Sequence, residues 1–256
     1  MDIQQPIGIF DSGLGGISVF RSVAALMPQE DYIYLGDSAN APYGVRPVGE
    51  IRSLTMQALE SLIQRGAKAL VIACNTASSA AGKEMRRVYP QLPIIAIEPA
   101  LKPAVLSCQG GTVLVMATPA TLQEQKFARL MESYQEQAEI LKCPCPGLME
   151  FVERGELGSP ELEDYLRKRF EEFAGKQLDA IVLGCTHYPF LQGMIQKVAG
   201  PGVKIFDGAP GTARQLQRRL KANGLLKPPG ARGSITWLNS SPDPAMIALS
   251  KRLFEA

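Results

Sequence analysis

The sequence predicts an α/β protein of two similar lobes, each with a mostly parallel sheet flanked by helices. Short apolar runs rich in Val, Ile and Leu alternate with helical patterns along the chain. Continuous apolar strands separated by helices are typical of parallel sheets covered on both faces. The 256 residues suffice for one large domain or two of ordinary size. A strand-and-helix pattern that occurs twice favours two lobes related by a pseudo-twofold axis.

Nine apolar runs have the length and composition of strands. They are Ile7–Phe10, Tyr32–Leu35, Ala69–Ala73, Ile94–Ile97, Thr112–Met116, Glu139–Lys142, Ala180–Leu183, Val203–Phe206 and Ser234–Leu238. Between them, apolar residues recur at helical spacing from Ile51 to Ile63, with Gly66 placed to end that helix. A second amphipathic helix is predicted to begin at Pro160. The apolar stripes of both helices are expected to face the core.

The two halves of the chain share a local pattern. Residues 68–76 (KALVIACNT) align with residues 179–187 (DAIVLGCTH), an offset of 111. Both segments are an apolar strand followed by a cysteine, Cys74 in the first and Cys185 in the second. Upstream, Asp11-Ser12 after the first strand corresponds to Ala117-Thr118 after the fifth. The pattern indicates a duplicated unit that presents a thiol just past the carboxyl end of a strand.

Composition narrows the class of protein. Apolar residues make up 46% of the chain and charged residues 20%, as expected for a folded soluble domain. The formal net charge is +2 and no run of Lys and Arg stands out, so nucleic acid is not an expected partner. The apolar runs are far shorter than the ~20 residues that span a bilayer, and no signal peptide is visible. We therefore expect a cytoplasmic protein with no membrane partner.

The cysteines are not arranged as a disulfide framework or a metal site. The five cysteines are an odd number in a chain expected to stay in a reducing compartment. Cys143-Pro-Cys145 has the wrong spacing for a zinc ribbon, and His187 is the only histidine. No metal is expected, and Cys108, Cys143 and Cys145 are interpreted as structural or surface thiols.

Polar residues follow several of the predicted strands. In open parallel sheets, ligands bind outside the carboxyl ends of the strands, near a topological switch point. The polar residues in such positions are Asp11, Ser12, Asp37, Ser38, Cys74, Asn75, Thr76, Thr118, Cys185, Thr186 and His187. We expect the active site at these ends, in a cleft between the two lobes.

The glycine-rich turn after the first strand admits a second interpretation. Gly13-x-Gly15-x-x-Ser18 follows a strand, and Asp37 ends the next one, which resembles a dinucleotide fingerprint. The fit is poor, because Ser18 replaces a small third residue and Asp11 would place a carboxylate beside a pyrophosphate. Nucleotide binding is therefore the weaker hypothesis for this turn.

Two opposed thiols are suited to inverting a carbon centre. A thiolate, with a pKa near 8.5, is roughly four units more basic than a carboxylate, and a few per cent of a cysteine is ionised at neutral pH. If one thiolate removes a Cα proton and the opposite thiol supplies one to the other face, the configuration inverts. Polar neighbours would orient the substrate, and a protonated His187 would favour a thiolate at Cys185.

Seven motifs resemble those of the glutamate racemases, in the order found in that family. They are DSGLGG from Asp11, GDSANAPYG from Gly36, ACNTA from Ala73, Glu98-Pro99, Ala117-Thr118, EFVERG from Glu150 and LGCTHYP from Leu183. The motifs extend from residue 7 to about 212. The paired Cys-Asn-Thr and Gly-Cys-Thr-His-Tyr sequences are the specific part of the resemblance.

The resemblance implies a cofactor-independent interconversion of L- and D-glutamate that supplies D-glutamate for peptidoglycan. It implies that Cys74 acts on the D-enantiomer and Cys185 on the L-enantiomer, assisted by Asp11 and His187 respectively. Asp37 and Glu153 would be supporting carboxylates. The implied substrate contacts are Asp11, Ser12, Tyr43, Gly44, Asn75, Thr76, Thr118, Thr186 and His187.

The resemblance also implies where the lobes divide. The first lobe would consist of residues 1–98 and 207–256 and carry Cys74, and the second would be residues 99–206 and carry Cys185. Glutamate is the expected partner, although aspartate enzymes belong to the same wider family. A homodimer is expected only because it is the commonest soluble oligomer.

Two other functions stay open on the residues alone. Cys185 and His187 would serve a single-nucleophile acyl transfer, but residues two apart are not expected to converge, and Cys74 would have no role. A two-lobed solute- or nucleotide-binding module would leave both cysteines as core residues. A pyridoxal enzyme is disfavoured, because no lysine occupies a comparable strand end.

Overall fold

A computed structural model describes residues 2–255 and the side chains in that range, apart from that of Lys126. The chain divides into two compact units. The first extends to Glu98 and resumes at Ala209, and the second is Pro99–Gly208. The second unit thus ends two residues beyond the boundary placed at 206 from the sequence.

Strands and helices alternate through both units. The strands are β1 (Ile7–Asp11), β2 (Tyr32–Gly36), β3 (Ala69–Ile72), β4 (Ile94–Ala96), β5 (Thr112–Ala117), β6 (Glu139–Pro144), β7 (Ala180–Leu183), β8 (Lys204–Asp207) and β9 (Ile235–Asn239). The helices are α1 (Ile17–Leu26), α2 (Val48–Gln64), α3 (Asn75–Val88), α4 (Leu101–Cys108), α5 (Pro119–Gln123), α6 (Gln125–Glu132), α7 (Leu148–Glu153), α8 (Pro160–Glu171), α9 (Gln192–Ala199), α10 (Ala209–Ala222) and α11 (Pro244–Glu255). Short 3₁₀ helices occur at Ser38–Asn40, Tyr43–Val45 and Tyr188–Leu191.

Both sheets are parallel throughout, and the predicted α/β class is confirmed. The first unit has five strands in the order β4-β3-β1-β2-β9, and the second has four in the order β6-β5-β7-β8. Each of the nine predicted strands corresponds to one of these, with its ends within two residues of the prediction. The returning segment adds β9 beside β2, as an extra edge of the first sheet.

The apolar composition of each strand matches its place in the sheet. Every residue of β1, β3 and β7 is buried, as required of inner strands covered by helices on both faces. The edge strands β6 and β8 begin with the exposed residues Glu139 and Lys204. Charges at a sheet edge oppose pairing with another chain.

The two units share one strand order. The first four strands of each unit are arranged in the same spatial order, β2-β1-β3-β4 in the first unit and β6-β5-β7-β8 in the second. In each unit, the first strand along the chain therefore lies between the second and the third. The cysteines of the aligned segments follow the third strand in each case, Cys74 after β3 and Cys185 after β7. The duplication indicated by the sequence is therefore present in the topology of the separate units.

The two helices predicted from periodicity are present. The first is α2, whose buried residues include Ile51, Leu59 and Leu62, and Gly66 follows its end with a φ of +85°. A positive φ is strained for other residues, so glycine suits this C-terminal position. The second is α8, which begins at Pro160 as predicted.

An aromatic cluster fills one side of the first unit. Phe20 of α1 packs against Tyr34, Trp237 and Phe254, with ring centroids 4.7–5.7 Å apart. This cluster fixes β9 and α11 to the N-terminal part of the same unit. Among residues 2–255, no helix is both long enough and apolar enough to cross a membrane.

Candidate functional site

Each sheet has its topological switch point between the first and third strands. The chain leaves β1 for β2 on one side and then returns to β3 on the other, and β5, β6 and β7 repeat this path. The strand pairs are aligned so that Phe10 lies beside Ile72 and Met116 beside Leu183. Two residues beyond these pairs, Ser12 contacts Cys74 in the first unit, and Thr118 and Cys185 have the corresponding positions along the chain in the second. This is the position at which open α/β sheets bind ligands.

The sulfur of Cys74 accepts hydrogen bonds from a side chain and from the backbone. It accepts from Ser12 Oγ at 3.2 Å and from the backbone N–H of Ala77 at 3.5 Å. Cys74 is the N-cap of α3, so the sulfur lies at the positive end of a 14-residue helix. Both features favour a thiolate over a thiol. The side chain is buried, with 7% of the residue exposed.

Asp11 and Asp37 lie at neighbouring strand ends in the first unit. The backbone N–H of Asp37 donates to Asp11 O at 2.9 Å, and Asp11 Oδ2 accepts from Gly13 N–H at 2.8 Å. The Asp37 carboxylate accepts a hydrogen bond from the Tyr43 hydroxyl at 2.6 Å. It also accepts from Asn40 Nδ2, at 3.0 Å on one oxygen and 3.1 Å on the other. Asp37 therefore organises the loop that presents Tyr43.

Tyr43 connects this loop to the cysteine. Burial raises the pKa of its phenol, and the bond to Asp37 and the nearby Asp37, Cys74 and Asp11 side chains raise it further. The hydroxyl is thus a firm hydrogen-bond donor. Gly44 follows in the same 3₁₀ helix and is half-buried.

The residues after Cys74 form the first turn of α3. Asn75 and Thr76 are each 6% exposed. The side-chain oxygen of Asn75 is buried and has no hydrogen-bond partner among the described residues. A buried acceptor without a partner costs about 1–3 kcal/mol. This oxygen is therefore available to a donor on a ligand.

Cys185 belongs to a chain of three side chains in the second unit. Its sulfur lies 3.6 Å from His187 Nδ1, and His187 Nε2 lies 2.7 Å from Glu153 Oε1. The expectation that Cys185 and His187 do not converge is wrong, because the turn after β7 directs both side chains to the same side. Glu153, at the end of α7, is 34 residues away in sequence and orients the imidazole.

The protonation of His187 follows from these contacts. Its ring is almost fully buried, and burial alone lowers the pKa. The hydrogen bonds to Cys185 and Glu153, with the charges of both groups, outweigh burial and hold the pKa well above the ordinary 6.5. The raised pKa favours the protonated imidazole, which can donate to a thiolate at Cys185.

Two threonines flank the second cysteine. Thr118 caps α5: its Oγ1 accepts from Thr121 N–H at 3.2 Å and donates to Thr121 Oγ1 at 2.9 Å. Thr118 occupies the place that Ser12 has in the first unit, but its hydroxyl bonds to a helix rather than to a sulfur. Thr186 is 4% exposed and lies between Cys185 and His187.

Sequence reasoning missed residues that shape the second site. The Tyr188 hydroxyl, fully buried, donates to Cys145 O at 3.2 Å and ties the turn after β7 to the end of β6. Gly184 has no room for a side chain, because a Cβ there would lie 2.8 Å from the Ala117 Cβ. Both residues belong to the Gly-Cys-Thr-His-Tyr motif, which was the available sequence signal for Gly184 and Tyr188.

The remaining three cysteines are a buried pair at the end of β6 and one thiol at the end of α4. Cys143 and Cys145 are buried, with sulfurs 3.7 Å apart, and the hydrogen bond with Cys143 together with burial raises the pKa of Cys145. Cys108 is the last residue of α4, four residues before β5 begins. Among the described residues, no three His, Cys, Asp or Glu side chains are grouped to hold a metal ion.

Comparisons with known proteins identify the family. The profile of the Asp/Glu/hydantoin racemase family matches residues 14–216. A glutamate racemase of Clostridium perfringens is 50% identical over 250 residues, which cover 98% of this chain and 96% of the relative.

Solved structures agree with the sequence comparison. A glutamate racemase of Francisella tularensis, in complex with D-glutamate, has a TM-score of 0.86 at 28% identity, covering 99% of this chain and 95% of that one. A glutamate racemase isoform of Bacillus anthracis has a TM-score of 0.88 at 28% identity, covering 98% and 94%. The chain therefore belongs to the Asp/Glu/hydantoin racemase family, and within that family to the glutamate racemases.

Proposed function

We propose that this glutamate racemase interconverts L- and D-glutamate by proton transfer between Cα and two thiols, Cys74 and Cys185, without a cofactor. The observation that carries the proposal is the shared strand order of the two units, each with a cysteine at the same place beside its switch point. A duplicated pair of thiols matches a reaction whose substrate and product are mirror images.

Each turnover moves one proton off the carbon and another onto it. With D-glutamate, a Cys74 thiolate takes the Cα proton, and the electron pair of the broken C–H bond stays on Cα as a carbanion. The Cys185 thiol then gives its proton to the opposite face, which forms L-glutamate. The enzyme is left with a thiol at Cys74 and a thiolate at Cys185, ready for the reverse direction.

The surroundings of each sulfur support these roles. Ser12 and the start of α3 would stabilise a thiolate at Cys74, and Asp11 would assist the same group. Protonated His187, oriented by Glu153, would stabilise the thiolate at Cys185. The two cysteines thus have different partners for the same task.

Substrate recognition is proposed at the same strand ends. The unpartnered Asn75 oxygen is an acceptor for the ammonium group of an amino acid. Helix N-termini and hydroxyls that follow the strands suit the carboxylates. The other proposed contacts are Asp11, Ser12, Tyr43, Gly44, Thr76, Thr118, Thr186 and His187, with Asp37 supporting Tyr43.

Racemisation assays test the proposal directly. Circular dichroism would follow L- and D-glutamate, and then L- and D-aspartate, with cofactor-free enzyme and a reductant. We expect glutamate to racemise with uptake of solvent deuterium at Cα, and Cys74→Ala or Cys185→Ala to lower the rate by 10³-fold or more. Cys108→Ala is the matched control and is expected to retain activity. An undiminished rate in Cys74→Ala would contradict the two-thiol scheme.

A β-chloro analogue of glutamate shows whether an inactive variant has lost one catalytic base or has failed to fold. Elimination breaks the Cα–H and Cβ–Cl bonds and releases chloride, and it needs one thiolate only. We expect Cys185→Ala to eliminate chloride from the D-analogue and Cys74→Ala from the L-analogue. Elimination from both enantiomers by one variant would mean that the roles are not divided between the sulfurs.

The contact between Cys185 and His187 favours one alternative, a single-nucleophile acyl transfer. That reaction would leave an acyl group on Cys185 and would survive the loss of Cys74. Mass spectrometry of enzyme quenched with an activated glutamate ester would detect the adduct. We expect no adduct at Cys185, and racemisation to depend on both cysteines.

The setting of the reaction is part of the proposal. We place the enzyme in the cytoplasm, where its D-glutamate would supply peptidoglycan synthesis, and we propose a homodimer from the prevalence of twofold oligomers. Light scattering during size-exclusion chromatography tests the dimer. A mass near 27.7 kDa would mean a monomer.

A further inference from the structure

The even charge balance of the chain conceals an uneven distribution. No Asp or Glu occurs between Asp207 and Asp243, although this stretch contains six Lys and Arg. The rest of the chain has 21 Lys and Arg against all 25 Asp and Glu. The stretch includes α10 and the segment that leads to β9. These cations do not form a long run in the sequence, because they are spaced along α10 and the segment that follows it.

Three of these cations lie on one face of α10. Arg214, Arg218 and Lys221 are spaced i, i+4 and i+7, and all are exposed. None of them forms an ion pair with a described residue, and Arg218 bonds to the neutral Gln215. Like charges at these spacings destabilise a helix. An anion beside this face would relieve the repulsion.

This face borders a cleft of about 620 Å³. The three cations line one side, and Leu226, Lys227, Pro228 and Pro229 line the other. The volume is in the range of small-ligand sites. The combination of free cations with apolar residues suits a ligand that has both an anionic group and a flat apolar part.

The wall opposite α10 is held in place. Lys227 N–H donates to Glu30 Oε1 at 2.7 Å, and Lys227 O accepts from Gln29 Nε2 at 3.1 Å. The Lys227 ammonium pairs with Asp31 and, with Ser234, lowers the pKa of Asp31 to about 2. Because the Lys227 charge is already paired, the three cations of α10 supply the positive charge of the cleft.

We propose that this cleft binds a small anion bearing adjacent phosphoryl groups. Arg214 and Arg218 would each offer a planar pair of N–H donors to phosphoryl oxygens, and Lys221 would add a point charge. The Leu226 and proline side chains would cover an attached ring. The site lies within the first unit and does not depend on the two-thiol mechanism.

Calorimetric titration with ADP and with inorganic pyrophosphate tests the proposal. The solution would contain an equilibrium mixture of L- and D-glutamate, so that the active site is occupied and the probes report the cleft beside α10. We expect saturable one-to-one binding of both probes that weakens as salt rises. The triple variant Arg214→Gln, Arg218→Gln, Lys221→Gln should weaken binding at least tenfold and retain racemase activity. A control triple, Arg65→Gln, Lys83→Gln, Lys168→Gln, makes the same charge change elsewhere and should bind as the unmodified chain does.

A further variant distinguishes the sources of the phosphoryl group. Leu226→Ser should weaken ADP several-fold and leave pyrophosphate unchanged if the apolar wall covers a ring. Equal affinities for both probes, insensitive to Leu226→Ser, would assign the cleft to a free diphosphate. Absence of saturable binding for both probes, or equal losses in the cleft triple and the control triple, would overturn the proposal.

Discussion

At the scale of single residues, the side-chain oxygen of Asn75 is a buried acceptor suited to a donor on the substrate. It is buried at the start of α3, beside Cys74, and no described group donates to it. A hydrogen bond to a charged group is worth about 1.5–3 kcal/mol, and leaving the acceptor unpaired costs a similar amount. An ammonium group that donates to this oxygen would remove the cost of the unpaired acceptor. Asn75 is therefore expected to contribute to substrate affinity.

Replacing Asn75 tests this role. Asn75→Ala removes the acceptor and is expected to raise the KM for glutamate by roughly 10- to 100-fold, the equivalent of the hydrogen bond to a charged group. Because the unpartnered oxygen is also removed, the free energy of unfolding should not fall by a comparable amount. Steady-state kinetics and urea unfolding measure the two quantities. A KM that stays constant would mean that the oxygen faces no ligand donor.

The hydrogen-bonded side chains of Cys185, His187 and Glu153 lead to a second prediction, on how stability depends on pH. The folded pKa of His187 lies above 6.5, so its stabilising contribution is complete below pH 6.5 and is lost as pH rises through the folded value. Glu153→Gln removes one cause of the raised pKa. We expect this variant to lose stability near pH 6 but little above the raised pKa, by about 1.4 kcal/mol for each pKa unit removed.

Urea unfolding from pH 6 to pH 10 measures this difference. Glu156→Gln is the matched control, because Glu156 makes an exposed ion pair with Arg154 that contributes little to stability. The unmodified chain and the control should follow one pH profile, with Glu153→Gln lying below them only at low pH. A Glu153→Gln profile parallel to the others across the whole range would argue against a raised His187 pKa.

At the scale of elements, helix caps follow local sequence rules. Ser159 caps α8: its Oγ accepts from Leu162 N–H at 3.2 Å, Pro160 follows, and Glu161 and Glu163 lie in the first turn. Ser159→Ala should lower the free energy of unfolding by about 1 kcal/mol, because one N–H loses its acceptor. Ser159→Asp keeps an acceptor and should retain stability. Equal losses in both variants, measured by urea unfolding, would show that the cap is not the cause.

Local patterns predicted the elements well, because each strand and helix is encoded by its own residues. The continuous apolar runs predicted all nine strands, and the aligned cysteine segments predicted the position of both thiols. Strand order requires long-range information: nothing in residues 235–239 indicates that β9 pairs with β2. Family resemblance named Glu153 only as a supporting carboxylate, and its contact with His187 over 34 residues was not predicted. The cationic face of α10 was missed because its charges are spread over two turns.

At the scale of the whole molecule, one ion pair among residues 2–255 is fully buried and is not used by the reaction. Lys68 Nζ lies 2.6 Å from Glu30 Oε2 and donates to Ile3 O at 2.6 Å, with both charged side chains 0% exposed. The second oxygen of Glu30 accepts from Lys227 N–H. One pair thus joins the N-terminal segment, the loop before β2 and the returning C-terminal segment of the first unit.

Breaking this pair should destabilise the first unit selectively. Lys68→Met leaves the Glu30 charge buried without a cation and is expected to cost about 3–5 kcal/mol of unfolding free energy. The double variant Lys68→Met with Glu30→Gln buries no charge and should recover part of the loss.

Trp237 is the only tryptophan and lies in the first unit, so its fluorescence reports that unit during urea unfolding. Far-UV circular dichroism reports both units together. We expect Lys68→Met to lower the fluorescence midpoint more than the dichroism midpoint, because the second unit keeps its own core. A fluorescence midpoint that does not move would mean that the pair contributes no net stability, and equal shifts by both probes would mean that the two units unfold together.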